Sequence, residues 1–173
     1  NLIDKIWKRR KKKNKKNFYN LPNNHVGKNY KVKINKIVEN LKKKGADYQF
    51  ITASENNAWL LNIRGGDMKY SPIPNCYALI DKYKNTKFFC DLKKVPASLK
   101  REYKNIKFTE IKKTSKILSE INKKKFLIDE DTCSLYFENI ILSKNKVLKS
   151  YDIVYSLKAI KDKNEIKNTK LAH

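Results

Sequence analysis

The sequence predicts an α/β domain built on a mixed β-sheet flanked by helices. Three observations predict it. Amphipathic helical stretches alternate with short runs of β-branched and aromatic residues along the chain. The spacing of these stretches is that of a sheet covered on both faces. Finally, 173 residues with 40% apolar content suffice for one core.

The elements follow in order. Residues 1–24 read as a basic lead-in: Leu2, Ile3, Ile6 and Trp7 suit one helical turn, and Lys8–Lys16 holds eight basic residues in nine, a solvated run that repels itself. Tyr30, Ile34, Ile37, Val38 and Leu41 fall on one helical face, with Gly45 as the stop. A strand over Asp47–Ala53 precedes a short helix capped by Ser54 and carrying Ala58, Trp59 and Leu60. The loop Arg64–Pro74 leads to strands Cys76–Asp81 and Lys87–Asp91, paired across a turn near Lys84-Asn85. A helix over Pro96–Tyr103 and a strand over Ile106–Thr109 come next. Ile111, Ile117, Leu118 and Ile121 mark a helix, and Phe126–Asp129 a strand. Asp131 is placed to cap a helix with Leu135, Tyr136 and Ile140 inward. Val147-Leu148 form an extended piece, and Asp152 caps a last helix holding Ile153, Leu157 and Ile160. The domain body is therefore 25–152, with 153–173 as a helical exit segment.

The formal net charge is +24. It admits a basic nucleic-acid-binding module that uses Lys8–Lys16 and the lysine-rich helix faces. Yet only four of the 41 basic residues are arginine, and the aromatics fall mostly at inward positions. Evolved phosphate recognition favours the arginine fork and exposed stacking rings. The abundance of Lys, Asn and Ile is that of AT-rich coding, so nucleic acid is expected to bind only non-specifically.

No apolar run approaches the ~18 residues of a membrane span, and no signal-peptide pattern is present. Cys76, Cys90 and Cys133 form no CxxC pair and are read as free, buried thiols of a reducing cytoplasm. Asn1 and the charged C-terminal end suggest a piece of a longer protein.

Catalytic fingerprints are absent. Four glycines cannot write a GxGxxG turn or a phosphate loop, and there is no GxSxG or HExxH. His25 lies in a polar segment without an orienting partner. Asp81, Asp91 and Asp129 each end an expected strand, where carboxylates hold paired metals in some nucleases; aspartates there are also common turn formers. The distinctive segment is 58–72, in which Trp-Leu-Leu runs into the Gly65-Gly66 bend, flanked by Arg64 and Asp67. Arginine is conspicuous in a chain that nearly always uses lysine. It serves either a carboxylate, Asp67 included, or backbone carbonyls, or a ligand.

AWLLNIRGGDMKYSPIPNCYALI (58–80) resembles the AWL-N-RG-D, Y-P, YA pattern of long-form Xaa-Pro aminopeptidases (aminopeptidase P). NLIDKIWKRR (1–10), KINKIVENLKKKGAD (33–47) and YDIVYSLKAIKDKNEIKNTKLAH (151–173) are similar to the family's segments in the same order, so the resemblance spans essentially the whole chain. It departs from the family at Arg9-Arg10-Lys11 (usually D-RP), at Gly66 (often serine) and at Glu55-Asn56-Asn57 (an acidic pair).

The resemblance implies a creatinase-type N-terminal domain with a ribonuclease-H-like sheet, packed on a pita-bread catalytic domain of the same polypeptide. It further implies a cytoplasmic parent enzyme that binds two divalent metals, typically manganese, and cleaves short Xaa-Pro peptides. None of the family's metal ligands falls in this chain, so the domain alone is expected to be inert. Asn62, Arg64, Asp67 and Tyr70 are the residues expected to face the peptide cleft.

Overall fold

The computed structural model describes residues 2–6, 15–22 and 24–173. Trp7 and the basic residues Lys8–Lys13 therefore lie outside the described residues. After a short helix α1 (Leu2–Ile6) and a two-residue strand β1 (Tyr19–Asn20), α2 (Tyr30–Lys43) buries Tyr30, Ile34, Ile37, Val38 and Leu41, and ends before Gly45 as its stripe predicts. Then follow β2 (Tyr48–Ile51), α3 (Ser54–Leu61), β3 (Ile63–Arg64), β4 (Tyr77–Asp81), β5 (Thr86–Cys90), α4 (Ala97–Glu102) and β6 (Ile106–Glu110). The rest of the chain forms α5 (Thr114–Glu120), β7 (Lys125–Ile128), α6 (Leu135–Leu142), β8 (Lys146–Lys149), α7 (Ile153–Ala159) and α8 (Lys163–Ala172).

Six strands make one mixed sheet in the order β6-β5-β4-β2-β7-β8, while β1 pairs with β3. Strand β4 is antiparallel to both its neighbours; β5–β6, β2–β7 and β7–β8 are parallel. Five strands thus point one way, and their carboxyl ends gather along one edge of the sheet.

Side chains alternate across the sheet with period two. Ile51, Ala78, Ile80, Phe88 and Leu127 face α2, α3 and α4, with Leu60, Leu61 and Leu99 filling that layer. Phe50, Leu79, Phe89, Phe126 and Ile128 face the other way, onto Leu118 of α5 and Ile141 of α6. Both faces are covered, which is why the strands read as apolar runs rather than clean alternation.

A buried polar knot joins the central strands to α7. Asp152 caps α7 through Val154 N (3.0 Å) and accepts from Gln49 Nε2 (2.8 Å) and Asn56 Nδ2 (2.7 Å). Its own N–H donates to Asp129 Oδ2 (2.9 Å). Lys158 Nζ closes the chain of contacts on Asn56 Oδ1 (2.6 Å).

Some expectations are corrected. Ser54 does not cap α3: the cap position is Ala53, and the Ser54 hydroxyl donates to Cys76 O (3.1 Å), stitching α3 to β4. Asp131 does not cap α6, whose cap position is Ser134. Leu135 and Tyr136 point to solvent, and the inward stripe is Phe137, Ile140 and Ile141. Ile160 terminates α7 and is exposed rather than buried, because the backbone turns extended there before α8.

Candidate functional site

The gathered carboxyl ends leave a crevice, the usual ligand position in open α/β sheets. A cavity of about 860 Å³ opens there, lined by Thr52 and Ser54 after β2, Asp91 and Lys94 after β5, Glu110 at the end of β6, and Thr132 after β7. The loop between β3 and β4 forms one wall through Asp67, Met68, Pro74 and Asn75.

The four expected site residues do not converge. Asp67 is in the cleft wall, where it pairs with Lys94 and accepts from Asn75 N (2.8 Å). Both members of the Asp67–Lys94 pair are nearly buried, so the loop is pinned to the segment after β5. Arg64 does not meet Asp67. Its Nη1 donates to Ala58 O (2.5 Å) and Ile63 O (3.1 Å), the carbonyl role open to an arginine fork. Tyr70 stands in solvent, 86% exposed, with the Lys69 ammonium 4.5 Å from its ring centroid. Gly65 lacks a left-handed φ and serves close approach instead: a Cβ there would meet the Phe18 ring at 2.8 Å and Pro74 Cα at 3.0 Å.

Asn62 turns the other way. At φ 57° it ends α3 in the left-handed conformation, and its Oδ1 accepts from Lys33 Nζ (2.6 Å). Lys33 also donates to Trp59 O (2.6 Å), and its ammonium lies 3.9 Å from the Trp59 ring centroid. Trp59 Nε1 in turn donates to Glu165 Oε1 of α8 (2.9 Å). The sequence reading missed Lys33, though a lysine three residues after Tyr30 and four before Ile37 sits inside the apolar stripe of α2.

Burial lowers Lys33 to about 8, against the upward pull of Glu165 and Asp162; Arg64 and Lys28 add to the lowering. The unfolded chain then holds this proton up to about pH 10.5 while the folded one releases it near 8. Stability from this group therefore rises with pH across that window. A side-chain NMR titration is expected to find one lysine with a midpoint near 8 that Lys33→Arg removes; all midpoints above 10 would contradict it.

No group of three or more His, Cys, Asp or Glu suited to a metal occurs among the described residues. The strand-end aspartates are engaged otherwise. Asp81 accepts from Tyr83 N and Asn85 N (both 2.9 Å) at the opposite edge of the sheet, because β4 runs backwards. Asp91 accepts from Lys93 N (3.1 Å), and Asp129 from Asp131 N (3.0 Å) and Asp152 N. These residues do not fit a two-metal centre. His25 is exposed, and no described helix is long and apolar enough to cross a membrane.

A mixed sheet flanked by helices, with its cleft at the carboxyl ends of the strands, defines the class as an α/β domain. The chain belongs to the creatinase/prolidase N-terminal domain family, whose sequence pattern matches residues 9–165. Among its curated relatives is Xaa-Pro aminopeptidase 1 of Dictyostelium discoideum, 30% identical over 182 residues, covering 100% of this chain and 28% of that protein. Among solved structures it is similar to the X-prolyl aminopeptidase of Caenorhabditis elegans (TM-score 0.88, 22% identity), covering 100% of this chain and 29% of that one. That protein is described as a cytosolic enzyme with a di-nuclear active site. The N-terminal domain of peptidase PepQ from Mycobacterium tuberculosis matches 73% of this chain and 98% of its own length (TM-score 0.54, 12% identity). The chain thus spans under a third of the curated relatives' length. These matches leave the nucleic-acid reading without support.

Proposed function

We propose that this domain serves a metal-dependent Xaa-Pro aminopeptidase as a non-catalytic part, packing on the catalytic domain and shaping its peptide cleft. The observation that carries the reading is the match of the entire chain to under a third of a di-nuclear X-prolyl aminopeptidase. Residues 1–24 lead in, 25–152 form the body, and 153–173 lead toward the catalytic domain. That domain holds the two divalent metals, manganese in this reading, and acts on short Xaa-Pro peptides in the cytoplasm. Two features support the assignment of the exit segment. One side of α8 is clipped to the body, through Glu165 on Trp59 and Asn164 Nδ2 on Val26 O (3.4 Å), whereas Ile166 and Leu171 are left outside.

Within the 62–70 loop the roles divide. Asn62 and Arg64 fix the end of α3, Asp67 pins the loop to Lys94, and Tyr70 is the side chain free to reach a peptide or a neighbouring domain. In a polypeptide that joins this domain to its metallopeptidase domain, Tyr70→Ala is expected to lower kcat/KM for Xaa-Pro peptides about tenfold with Tm unchanged. Arg64→Ala is a poorer probe, because it strips two carbonyls of their donor. Wild-type kinetics in the Tyr70 variant would remove the loop from the cleft.

A further inference from the structure

We infer that Cys76 and Cys90 form a latent cross-strand dithiol, which closes to a disulfide on two-electron oxidation and bolts β4 to β5 beneath the cleft. The register of the two strands, with Tyr77 opposite Phe89 and Ala78 opposite Phe88, places Cys76 opposite Cys90 one step further on. The backbone hydrogen bonds identify the kind of pair. Cys76 uses both its N–H and its C=O on the Ser54 hydroxyl, on the β2 side. Asp81 N, an odd number of residues along, donates instead toward β5, to Asn85 O (3.1 Å). Strand residues alternate in the direction of their backbone groups, so Cys76 and Cys90 are a non-hydrogen-bonded pair. In such a pair the Cα atoms lie about 4.5 Å apart and the side chains are at their closest. That separation falls within the range disulfides span.

Both thiols lie on the same face of the sheet, in the layer with Ala78 and Phe88. Cys133 belongs to the layer on the opposite face and has no route to either. All three are free in the structure. Burial pushes the Cys76 thiol far up, and the neighbouring Cys90 pushes it further; burial also raises Cys90, with Glu110 and Asp91 adding. The pair therefore stays protonated and resists casual air oxidation.

Hydrogen peroxide is a small enough oxidant to enter from the cleft, whose lining includes the adjoining residues Asn75 and Asp91. One sulfur attacks a peroxide oxygen: an S–O bond forms, the O–O bond breaks, and the leaving hydroxide takes up the thiol proton as water. The second sulfur then attacks the sulfenic sulfur, forming S–S and expelling the hydroxyl, which leaves as water with the second thiol's proton. Two thiols and one peroxide yield one disulfide and two waters, the two electrons passing to the peroxide.

The test uses wild type and Cys133→Ala, both treated with hydrogen peroxide, denatured in N-ethylmaleimide and mapped by mass spectrometry. The expected result is a Cys76–Cys90 cross-linked peptide, with Cys133 alkylated in wild type. Cys133→Ala should lose about 2 Da, the two thiol hydrogens. Its Tm should rise by about 5 °C, because a short loop is closed, and return on reduction. Fully alkylated Cys76 and Cys90 after prolonged treatment at pH 9, sulfinic acids at these positions, or a disulfide to Cys133 would each overturn the inference. Cys90→Ser, in which Cys76 must remain without a disulfide partner, serves as the matched control.

Discussion

Asp152→Ala is expected to cost about 4 kcal/mol in urea unfolding. The carboxylate is 3% exposed and accepts from three donors on three elements: Gln49 of β2, Asn56 of α3 and Val154 of α7. Removing it strands all three in a site that water does not reach. Asn56 also carries Lys158, so the fault spreads to the last turn of α7. Asp152→Asn keeps an acceptor and is expected to cost about 1–2 kcal/mol.

The pH dependence has a definite sign. Burial raises the Asp152 carboxyl above 3.8 despite its donors, so the folded chain binds this proton more readily than the unfolded one. Its contribution is full below 3.8 and is lost as pH rises through the folded value. The advantage of wild type over Asp152→Asn should therefore widen as the solution is acidified from neutral toward pH 4. An advantage that narrowed instead would show that the donors, not burial, dominate.

The second large effect is expected from Gly27→Ala. An added Cβ at Gly27 would stand 1.0 Å from Asp162 Oδ2, in space the carboxylate already occupies. Asp162 caps α8 through Asn164 N (2.8 Å) and Glu165 N (3.0 Å), and Glu165 returns the bond to Asp162 N (3.0 Å). Evicting Asp162 dismantles this capping box and pulls Glu165 away from Trp59. The expected loss is about 2 kcal/mol. Hydrogen exchange gives the sharper readout, because α8 amides should lose protection while those of β2, β4 and β7 keep theirs. Unchanged protection in α8 would mean that the helix is held by something other than its first turn.

The contrast between expectation and structure follows from how far each signal reaches. The stripe of α2 and the strands around Phe50, Leu79, Phe88 and Phe126 were legible because burial repeats over several residues. Strands β1 and β3 have two residues each, too few to carry a period, so nothing local announced that Tyr19 would pair with Arg64. In α6 the run Leu135-Tyr136-Phe137 permits two apolar stripes, and only the sheet beneath chooses Phe137 with Ile140 and Ile141. Ser54 had the right chemistry for a cap, but Cys76, distant in sequence, decided its use, and α6 begins after Ser134 rather than at Asp131. Arg64 stood out by residue type, and the carbonyls it serves were among its expected partners; Asp67 instead found Lys94, 27 residues away, a pairing invisible to local pattern.

The order of the sheet has one more consequence. Its outermost strands, β6 and β8, present open backbone to any passing chain, and a domain with such rims is at risk of sticking to copies of itself. Lys107 on one rim and Lys146 on the other are exposed. A second copy approaching either rim in register would bring like charges together as it shed water, which discourages strand-to-strand growth. The surplus of lysine that first suggested a phosphate polymer thus has a use at the rims: it helps keep each copy to itself.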